Sequence, residues 1–354
     1  MIKVLIVEDS AVARDYLVHI LSSEPGIEVI GTARDGAEAV KLAGTLKPDV
    51  VTMDINMPVM DGLEATRKIM ETEPVPIVIV SGIWDPKEVK TTFRAVEAGA
   101  LAVVQRPAGI GHPESGKMIK ELVSKVKLMS EVRVVRRWAR SRQTNQEKQI
   151  ESAAPSIKVR PDLAVVAMGA STGGPLALRT ILSALPSDFP IPLLIVQHIA
   201  AGFIQGMLEW LSAASGLRMR IAHEGERIQG GHAYFGPDGF DMGMDKSGLI
   251  RLHNAGHEGT IRPSASYLFR SVAQVYAEKG AGVLLTGMGS DGAAELKIMR
   301  EKGAVTIIQD KDSSVIYGMP GAAQELGAAM YELSPDKIGS ALIAITGYRG
   351  KKDR

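Results

Sequence analysis

Three side chains in the second half of the chain, Ser171, His198 and Asp291, could together turn a hydroxyl group into a nucleophile. An imidazole can accept the proton of a serine hydroxyl, and a carboxylate can fix the tautomer of the ring and stabilise its charged form. Each of the three lies at or just past the carboxyl end of an apolar segment that is typical of a buried strand. Because such strand ends share one edge of a parallel sheet, we expect the three side chains to meet there.

The segment around Ser171 reads as a buried strand that passes through a glycine-rich turn into a helix. It runs from Leu163 to Pro175, and Gly169-x-Ser171-x-Gly173 matches the pattern in which a serine hydroxyl stands exposed beside main-chain N–H groups. A glycine-rich turn can also cradle a phosphate, although this one lacks the GxGxxG spacing and the Gly-Lys-Ser/Thr ending. The order Ser–His–Asp differs from the Ser–Asp–His order of α/β-hydrolases, so the pattern does not imply that fold.

A second group of polar residues follows the strands predicted in the first half of the chain. Glu8 and Asp9 come after the first strand, Asp54 ends the third, Ser81 ends the fourth and Arg106 follows the fifth. Carboxylates that converge on one sheet edge repel one another, so either a cation binds among them or a pKa rises. A hard divalent ion with oxygen ligands suits such a cluster, and Mg²⁺ is the expected ion. Capping of the following helices would explain one of these positions, but not several strand ends together.

Strands and amphipathic helices alternate along most of the chain, which predicts an α/β protein with two doubly wound parallel-sheet domains. We expect the first domain over residues 1–125, a helical and then flexible linker over 126–161, and the second domain over 162–354. Helical spacing extends from Lys125 to Arg142, and the arginines near its end are more typical of a solvated helix face than of a nucleic-acid site. The glycine-rich segment Gly230–Leu252 predicts a β-hairpin excursion within the second domain.

The predicted strands are short apolar runs bounded by polar or turn-forming residues. In the first domain they are Lys3–Val7, Glu28–Gly31, Val50–Asp54, Ile77–Ser81 and Ala100–Val104. In the second domain they are Leu163–Met168, Pro192–Ile199, Arg218–Ala222, Gly282–Gly287 and Val305–Gln309. Ser334 and Pro335 predict the start of the last helix, with a serine at the N-cap and proline at the first helical position.

Composition narrows the class of protein. The 354 residues suggest about two domains, and the hydrophobic fraction of 45% is enough for two ordinary cores. The formal net charge of +1 gives no general attraction to nucleic acid or anionic lipid.

The absence of cysteine excludes disulfides, cysteine nucleophiles and thiolate metal sites. No apolar run approaches the roughly 20 residues that span a bilayer, and the N-terminus reaches acidic residues too soon for a signal peptide. We therefore expect a cytoplasmic protein with no direct membrane insertion.

Three motifs of the first domain stand at the predicted strand ends. They are Ile6-Val-Glu-Asp-Ser10, Met53-Asp-Ile-Asn-Met-Pro-Val-Met-Asp-Gly62 and Ser81-Gly82. Together they resemble those of a response-regulator receiver domain, which has a flavodoxin-like fold. The resemblance implies that a histidine kinase phosphorylates Asp54 and that the Ser81 hydroxyl senses the phosphoryl oxygens. It also implies an Mg²⁺ site made by Glu8, Asp9, Asp54 and the Asn56 carbonyl.

Two features depart from the receiver pattern. Arg106-Pro107 stands where receivers usually carry Lys-Pro, and Ala102, Val103 and Val104 leave no aromatic switch residue on the fifth strand. Arginine keeps the positive charge and can bind phosphate through two N–H groups, but its reach and geometry differ from those of lysine. We therefore expect phosphate-driven signalling that is weaker or differently timed.

Five groups of motifs stand in order along the second domain. They are Gly169-Ala-Ser-Thr-Gly-Gly-Pro175, Val196-Gln-His-Ile199, Arg262-Pro-Ser264 with Leu268-Phe-Arg-Ser-Val-Ala273, Thr286-Gly-Met-Gly-Ser-Asp-Gly-Ala293, and Gln309-Asp310 with Ser314-Val-Ile-Tyr-Gly-Met-Pro320. Together they resemble the catalytic domain of the chemotaxis protein-glutamate methylesterase (CheB) family. The order of receiver, linker and esterase matches too, so the resemblance covers nearly the whole chain and implies a Rossmann-like second domain.

Several rim positions differ from the family pattern, although the three triad positions are intact. Ala200 and Ile204 stand where the family often has proline and threonine, and Ile261 stands where histidine commonly precedes Arg-Pro-Ser. Ser266 replaces a usual aspartate, and Asp241 stands where a histidine is common. We expect these changes to alter substrate preference, rate and interdomain contacts, and the hydrolytic chemistry to survive.

The resemblance implies a phosphorylation-controlled protein-glutamate methylesterase, and also a protein-glutamine deamidase, that acts on cytoplasmic helices of chemoreceptors. Ser171 would attack the ester, His198 would act as general base and then general acid, and Asp291 would orient His198. Main-chain N–H groups near Thr172 and Met288 are the candidate oxyanion donors. Water completes the turnover, so we expect no organic cofactor for the esterase. We expect the unphosphorylated receiver to cover the rim around Ser171.

Three other functions stay open at this point. The chain could be an esterase of a paralogous signalling system outside chemotaxis, or a non-enzymatic module whose second domain only binds partners. It could also be a nucleotide-binding regulator that uses the turn from Gly169 to Gly174. Loss of activity on replacing Ser171 by alanine would separate the enzyme from the binding module.

Overall fold

The computed structural model describes residues 1–82, 86–109, 111–132, 134, 158–254 and 262–348. The chain divides into two compact units, Met1–Gln149 and Ile150–Arg354. Most of the predicted linker, including the arginine-rich segment that begins at Arg133, lies outside the described residues, and so does Ile261.

The first unit is an open parallel sheet with α-helices between its strands. Its elements are β1 (Ile2–Val7), α1 (Ala11–Ser22), β2 (Ile27–Ala33), α2 (Gly36–Leu46), β3 (Val50–Met53), α3 (Gly62–Thr72), β4 (Ile77–Ser81), α4 (Pro86–Ala98), β5 (Ala102–Gln105) and α5 (Ser115–Ser130). The five strands stand in the order β2-β1-β3-β4-β5, and every neighbouring pair is parallel. The carboxyl ends of β1, β3, β4 and β5 therefore share one edge, which is the usual ligand crevice of such a sheet.

The second unit has a larger parallel sheet and a separate hairpin. Its elements are β6 (Val165–Ala170), α6 (Gly174–Ala184), β7 (Leu193–Gln197), α7 (Ile204–Ser212), β8 (Arg218–Ile221), β9 (His232–Phe235), β10 (Asp241–Met244), β11 (Ile250–His253), α8 (Ala265–Val275), β12 (Gly280–Leu284), α9 (Ala293–Glu301), β13 (Val305–Gln309), α10 (Met319–Glu325), β14 (Tyr331–Leu333) and α11 (Pro335–Thr346). The seven strands of the main sheet stand in the order β14-β13-β12-β6-β7-β9-β8. All their pairs are parallel, which confirms the predicted class of two parallel-sheet α/β domains.

Helix α8 packs into the core of the second unit. Leu268, Phe269 and Val272 on this helix are fully buried in the core, together with Leu296 and Met299 on α9. The full burial of each such side chain stabilises the folded state by about 1.5–3 kcal/mol. The packing holds the first turn of α8 beside the loop that follows β12.

The segment predicted as a hairpin divides between two structures. Asp241–Met244 and Ile250–His253 pair as an antiparallel hairpin, as expected. His232–Phe235, however, forms a fully buried strand of the main sheet between β7 and β8. The prediction missed this strand because it has only four residues and has glycine on both sides. Four residues are too few to show a clear alternation of apolar and polar side chains.

Smaller differences occur at the ends of elements. Helix α5 ends at Ser130, whereas helical spacing in the sequence continues to Arg142. The edge strand β14 was not predicted. Ser334 stands at the N-cap of α11 and Pro335 opens the helix, as predicted, but the serine side chain makes no capping hydrogen bond.

None of the helices in the described ranges is both long and apolar enough to cross a membrane.

Candidate active site and acidic pocket

Ser171 is the first residue after β6 and lies between the ends of two neighbouring strands. Its main-chain N–H donates to the carbonyl oxygen of Thr286, just past β12, at 3.0 Å. On the other side, the N–H of His198 donates to the carbonyl oxygen of Ala170 at 2.9 Å. The main-chain ladder therefore places Ser171 and His198 side by side at the carboxyl edge of the sheet.

The turn after Ser171 needs glycine for two reasons. Gly173 has a φ of 79°, in the left-handed region that residues with a Cβ avoid. A Cβ at this position would also lie 2.6 Å from Val315 Cγ2. The turn closes when the N–H of Gly174 donates to the carbonyl oxygen of Ser171 at 2.8 Å, and Pro175 then occupies the first turn of α6. The serine side chain is consequently held on a tight turn at the sheet edge.

His198 and Asp291 form a direct hydrogen-bonded pair. His198 Nε2 and Asp291 Oδ2 are 2.9 Å apart. Burial alone would raise the pKa of Asp291, but the hydrogen bonds and charge of His198 and the bonds from Ser266 outweigh it and hold the pKa well below its ordinary value. Because an ionised carboxylate only accepts hydrogen bonds, Nε2 must carry the donated proton. The neutral ring then has Nδ1 as its only acceptor.

The first turn of α8 holds the Asp291 carboxylate. Oδ1 accepts hydrogen bonds from Ser264 Oγ at 2.9 Å and from the N–H of Ser266 at 3.0 Å, and Oδ2 accepts one from the N–H of Ala265 at 2.7 Å. These N–H groups have no partner within the helix, and the helix dipole favours a negative charge at this end. The arrangement keeps Asp291 ionised and fixes its orientation toward His198.

The hydrogen bonds of the described chain do not include one between the Ser171 hydroxyl and the His198 ring. His198 and Asp291 are thus in contact, while Ser171 is brought to the adjacent strand end by the main chain. Hydrogen bonds between nucleophile and base are often long or poorly aligned before substrate binds, so we expect the bond between Ser171 and His198 to form only when substrate is bound.

The two predicted oxyanion donors belong to the turn after Ser171 and to the loop after β12. Thr172 follows Ser171 in the turn and is 6% exposed, whereas Met288 is 50% exposed. Gly287 lies against Ser171, since a Cβ on it would be 2.6 Å from Ser171 Cβ. Within the described residues, no main-chain carbonyl accepts a hydrogen bond from the N–H of Met288.

An ion pair between Asp241 and Arg262 adjoins the Asp291 site and was not predicted from the sequence. Asp241 at the start of β10 accepts a hydrogen bond from the N–H of Ser264 at 2.9 Å, and Arg262 Nε lies 3.4 Å from its carboxylate. Burial raises the pKa of Asp241 above its ordinary value. The polar residue Ser264 before an apolar helical pattern is an N-cap signal that could have located this turn. Its contacts with Asp241 and Asp291 join distant parts of the sequence, and no local pattern reveals them.

The predicted acidic cluster of the first unit forms at the edge of its sheet. Ligand atoms of Glu8, Asp9 and Asp54 all lie within 4.8 Å of one another. Glu8 is fully buried and Asp54 is 6% exposed, while Asp9 is exposed. Burial, together with the negative charge of Asp54, raises the pKa of Glu8 to about 7, although Arg106 acts in the opposite direction.

Arg106 reaches across this pocket from the end of β5. Its Nη1 donates to Glu8 Oε1 at 2.7 Å. The guanidinium group lies over Gly82, because a Cβ at that position would overlap Arg106 Nη2. Ser81 is buried at the end of β4, and Asn56 lies exposed in the loop after Asp54. Of the residues predicted for the receiver site, Glu8, Asp9, Asp54, Ser81 and Arg106 are therefore brought together at one sheet edge.

The acidic cluster fits a hard divalent cation. Among the described residues, Glu8 Oε2 is buried and has no hydrogen-bond partner, so it is an acceptor without a donor. Carboxylate oxygens are the preferred ligands of Mg²⁺. Glu8, Asp9 and Asp54 are therefore a suitable donor set for this ion.

Comparison with protein families divides the chain as its two compact units do. Residues 166–342 match the family model described as CheB methylesterase. Residues 4–112 match the model described as response regulator receiver domain.

Similar proteins extend over the full length of the chain. A protein-glutamate methylesterase/protein-glutamine glutaminase of Geobacter metallireducens is 55% identical over 98% of this chain and 99% of its own. A protein of the same name from Nitrosospira multiformis is 52% identical over 99% of both chains. Among solved structures, the methylesterase catalytic domain of Thermotoga maritima CheB is 34% identical, with a TM-score of 0.49, and the match covers 51% of this chain and 97% of that one.

Proposed function

The chain belongs to the CheB methylesterase family, and we propose that it hydrolyses methyl-glutamate esters on cytoplasmic helices of chemoreceptors under the control of its receiver domain. The observation that carries the proposal is the His198–Asp291 pair at the strand end next to Ser171. This substrate would place the enzyme in the cytoplasm, as a component of chemotaxis adaptation.

In the acylation step, the Ser171 hydroxyl attacks the γ-carbonyl carbon of a methylated glutamate and passes its proton to His198 Nδ1. The C–O bond to the methoxy group then breaks, and His198 returns the proton so that methanol leaves. Asp291 holds the imidazolium through Nε2 during both transfers. A positioned base and acid of this kind contribute about 10²–10⁴-fold to the rate.

The tetrahedral intermediate carries a negative charge on the former carbonyl oxygen. We propose that the main-chain N–H groups of Thr172 and Met288 donate hydrogen bonds to that oxygen. Removing one such donor costs about 3–4 kcal/mol in transition-state stabilisation. Water then attacks the acyl-enzyme with His198 as base, which releases glutamate and restores Ser171 without an organic cofactor.

The same site would also deamidate glutamine. Ammonia leaves in place of methanol, and the subsequent hydrolysis of the acyl-enzyme is identical. The names of the relatives, which pair methylesterase with glutaminase, support this second activity.

The receiver would act as the phosphorylated switch. Asp54 attacks the phosphorus of a phosphohistidine on a kinase, and the Ser81 hydroxyl and Arg106 guanidinium bind the transferred phosphoryl oxygens. Glu8, Asp9, Asp54 and the Asn56 carbonyl would hold Mg²⁺, which when bound neutralises charge on the phosphoryl group. The role is supported by the clustering of Glu8, Asp9, Asp54 and Arg106 at one sheet edge.

Methanol release from methylated receptor tests the esterase directly. We expect Ser171→Ala to lose activity by about 10⁴-fold or more, since the nucleophile is missing. Ser183→Ala, an exposed serine on α6, is the matched control and should keep the wild-type rate. Full activity in Ser171→Ala would remove the serine mechanism, and absence of methanol release from the wild type would favour the binding module.

A further inference from the structure

Gln197, the last residue of β7, lies between the proposed nucleophile and the proposed base. Its side chain is buried, with 3% of the residue exposed. Its Nε2 donates to the carbonyl oxygen of Ser171 at 2.9 Å and to the carbonyl oxygen of His198 at 2.9 Å. A single amide group therefore holds the main chain of both residues.

This amide acts where the ladder between β6 and β7 ends. In the described chain, the last main-chain hydrogen bond between the two strand ends runs from the N–H of His198 to Ala170. Beyond it the chain at Ser171 turns into α6 through the bond with Gly174. The two strands would separate here without a further link, and the Gln197 side chain supplies that link.

Only one orientation of the amide suits its surroundings. If Oε1 and Nε2 were exchanged, the side-chain oxygen would face two carbonyl oxygens, which all accept and cannot donate. Oε1 instead lies against Gly174, where a Cβ would overlap it. Within the described residues Oε1 is buried without a partner. Burying Oε1 without a hydrogen-bond donor is unfavourable. The two hydrogen bonds made by Nε2 offset this cost and determine the orientation of the amide.

We propose that Gln197 is a positioning residue for the esterase reaction, in which it sets the separation between the Ser171 hydroxyl and the His198 ring. The inference rests on the proposed function, because it gives those two residues their roles. A misplacement of about 1 Å between reacting groups can slow a reaction by about 10²-fold. Gln197 is buried beneath the turn, so its loss lowers kcat and leaves KM nearly unchanged.

The first test removes the N–H donor of Gln197 and keeps the volume of its side chain filled. Gln197→Met keeps the length of the side chain but has no N–H group. With methylated receptor as substrate and active sites counted by a serine-directed phosphonate, we expect kcat per site to fall by at least about fivefold, with KM changed less than about twofold. Gln229→Met is the matched control, because Gln229 is exposed before β9, at the opposite edge of the sheet.

The second test uses pH to separate positioning from simple loss of stability. Gln197→Glu has the same shape, and only its protonated form can donate a hydrogen bond to a carbonyl. Burial beside two carbonyl oxygens favours the neutral acid. We therefore expect the ratio of kcat in Gln197→Glu to kcat in the wild type to fall as pH rises through the pKa of the new carboxyl group.

The outcomes separate this inference from the function on which it rests. Full activity in Ser171→Ala, measured in the same assay, would overturn the proposed function and the positioning role with it. An inactive Ser171→Ala together with a kcat decrease of less than about fivefold in Gln197→Met would overturn the positioning role alone. A kcat ratio for Gln197→Glu that does not change with pH would also overturn it.

Discussion

At the scale of single residues, Asp291 has donors around both carboxylate oxygens: Ser264 Oγ, His198 Nε2 and two main-chain N–H groups. An asparagine would turn one side of the group into a donor. His198 would then have to accept on Nε2 and keep its proton on Nδ1, where it cannot receive a proton from Ser171. We expect Asp291→Asn to lower kcat for methanol release by about 10³–10⁴-fold. Asp162→Asn, an exposed aspartate before β6, should keep the wild-type kcat.

The low pKa of Asp291 also predicts how stability depends on pH. An unperturbed aspartate has a pKa of about 3.9, and the folded protein holds this pKa well below that value. The carboxylate therefore stabilises the fold above about pH 4, and the stabilisation is lost as pH falls further. In urea unfolding, the difference in free energy of unfolding between wild type and Asp291→Asn should shrink as pH falls from about 4 to about 3. A constant difference down to about pH 3 would contradict the prediction.

Arg106 and Gly82 form a second residue-scale unit, because the guanidinium group needs the space that a Cβ would fill. Gly82→Ala should displace Arg106 from Glu8 and produce the same defect as Arg106→Ala. We expect each variant to slow phosphorylation of Asp54 by a small-molecule phosphodonor by about tenfold, and the double variant to be no slower than the worse single. Gly44→Ala is the control, since a Cβ there meets only Glu73 Cγ at 3.9 Å. Additive defects would show that the two residues act separately.

At the scale of elements, the turn between β3 and α3 contains strained backbone. Val59 has a φ of 66° and is 87% exposed. The left-handed region costs a residue with a Cβ about 1–2 kcal/mol, and asparagine tolerates it better than a β-branched residue. Val59→Asn should therefore raise the free energy of unfolding of the receiver by about 1 kcal/mol, measured by urea denaturation. Val12→Asn, which alters an equally exposed valine in α1, should change it little.

Element types were predictable where burial gives a long apolar run. Strands β4 and β13 were predicted to the residue, and β1, β3 and β7 to within a few residues. Strand β9 was missed because a four-residue strand beside glycines has no readable period, and its burial depends on β7 and β8. Tertiary packing, which the local sequence does not contain, decides such cases.

The candidate site, too, was predictable in part. The strand-end rule placed Ser171, His198 and Asp291 at one sheet edge, where the structure has them, and their catalytic roles stay predictions. The contacts of Asp291 with the first turn of α8, and of Gln197 with two carbonyl groups, could not be read from the sequence. These contacts depend on the register between distant strands, and register is set by the whole sheet.

At the scale of the whole molecule, the proposed control requires the state of the receiver to change the esterase rate. We expect phosphorylation of Asp54 to raise methanol release by the full chain by about tenfold, within the usual range of coupling between two sites. A fragment of residues 158–354 should show the activated rate with or without phosphodonor. Asp54→Asn in the full chain should abolish the response. Equal rates for fragment and unphosphorylated full chain would contradict inhibition by the receiver.

Among the described residues, the hydrogen bonds that fix Ser171 all run through its main chain, to Thr286, Gly174 and the Gln197 amide. The Ser171 hydroxyl, the proposed nucleophile, makes none of these hydrogen bonds. One nucleotide change could therefore silence the enzyme and leave an intact domain behind. Under the proposed function, such a copy would still bind methylated receptors and would compete with the active enzyme for their esters.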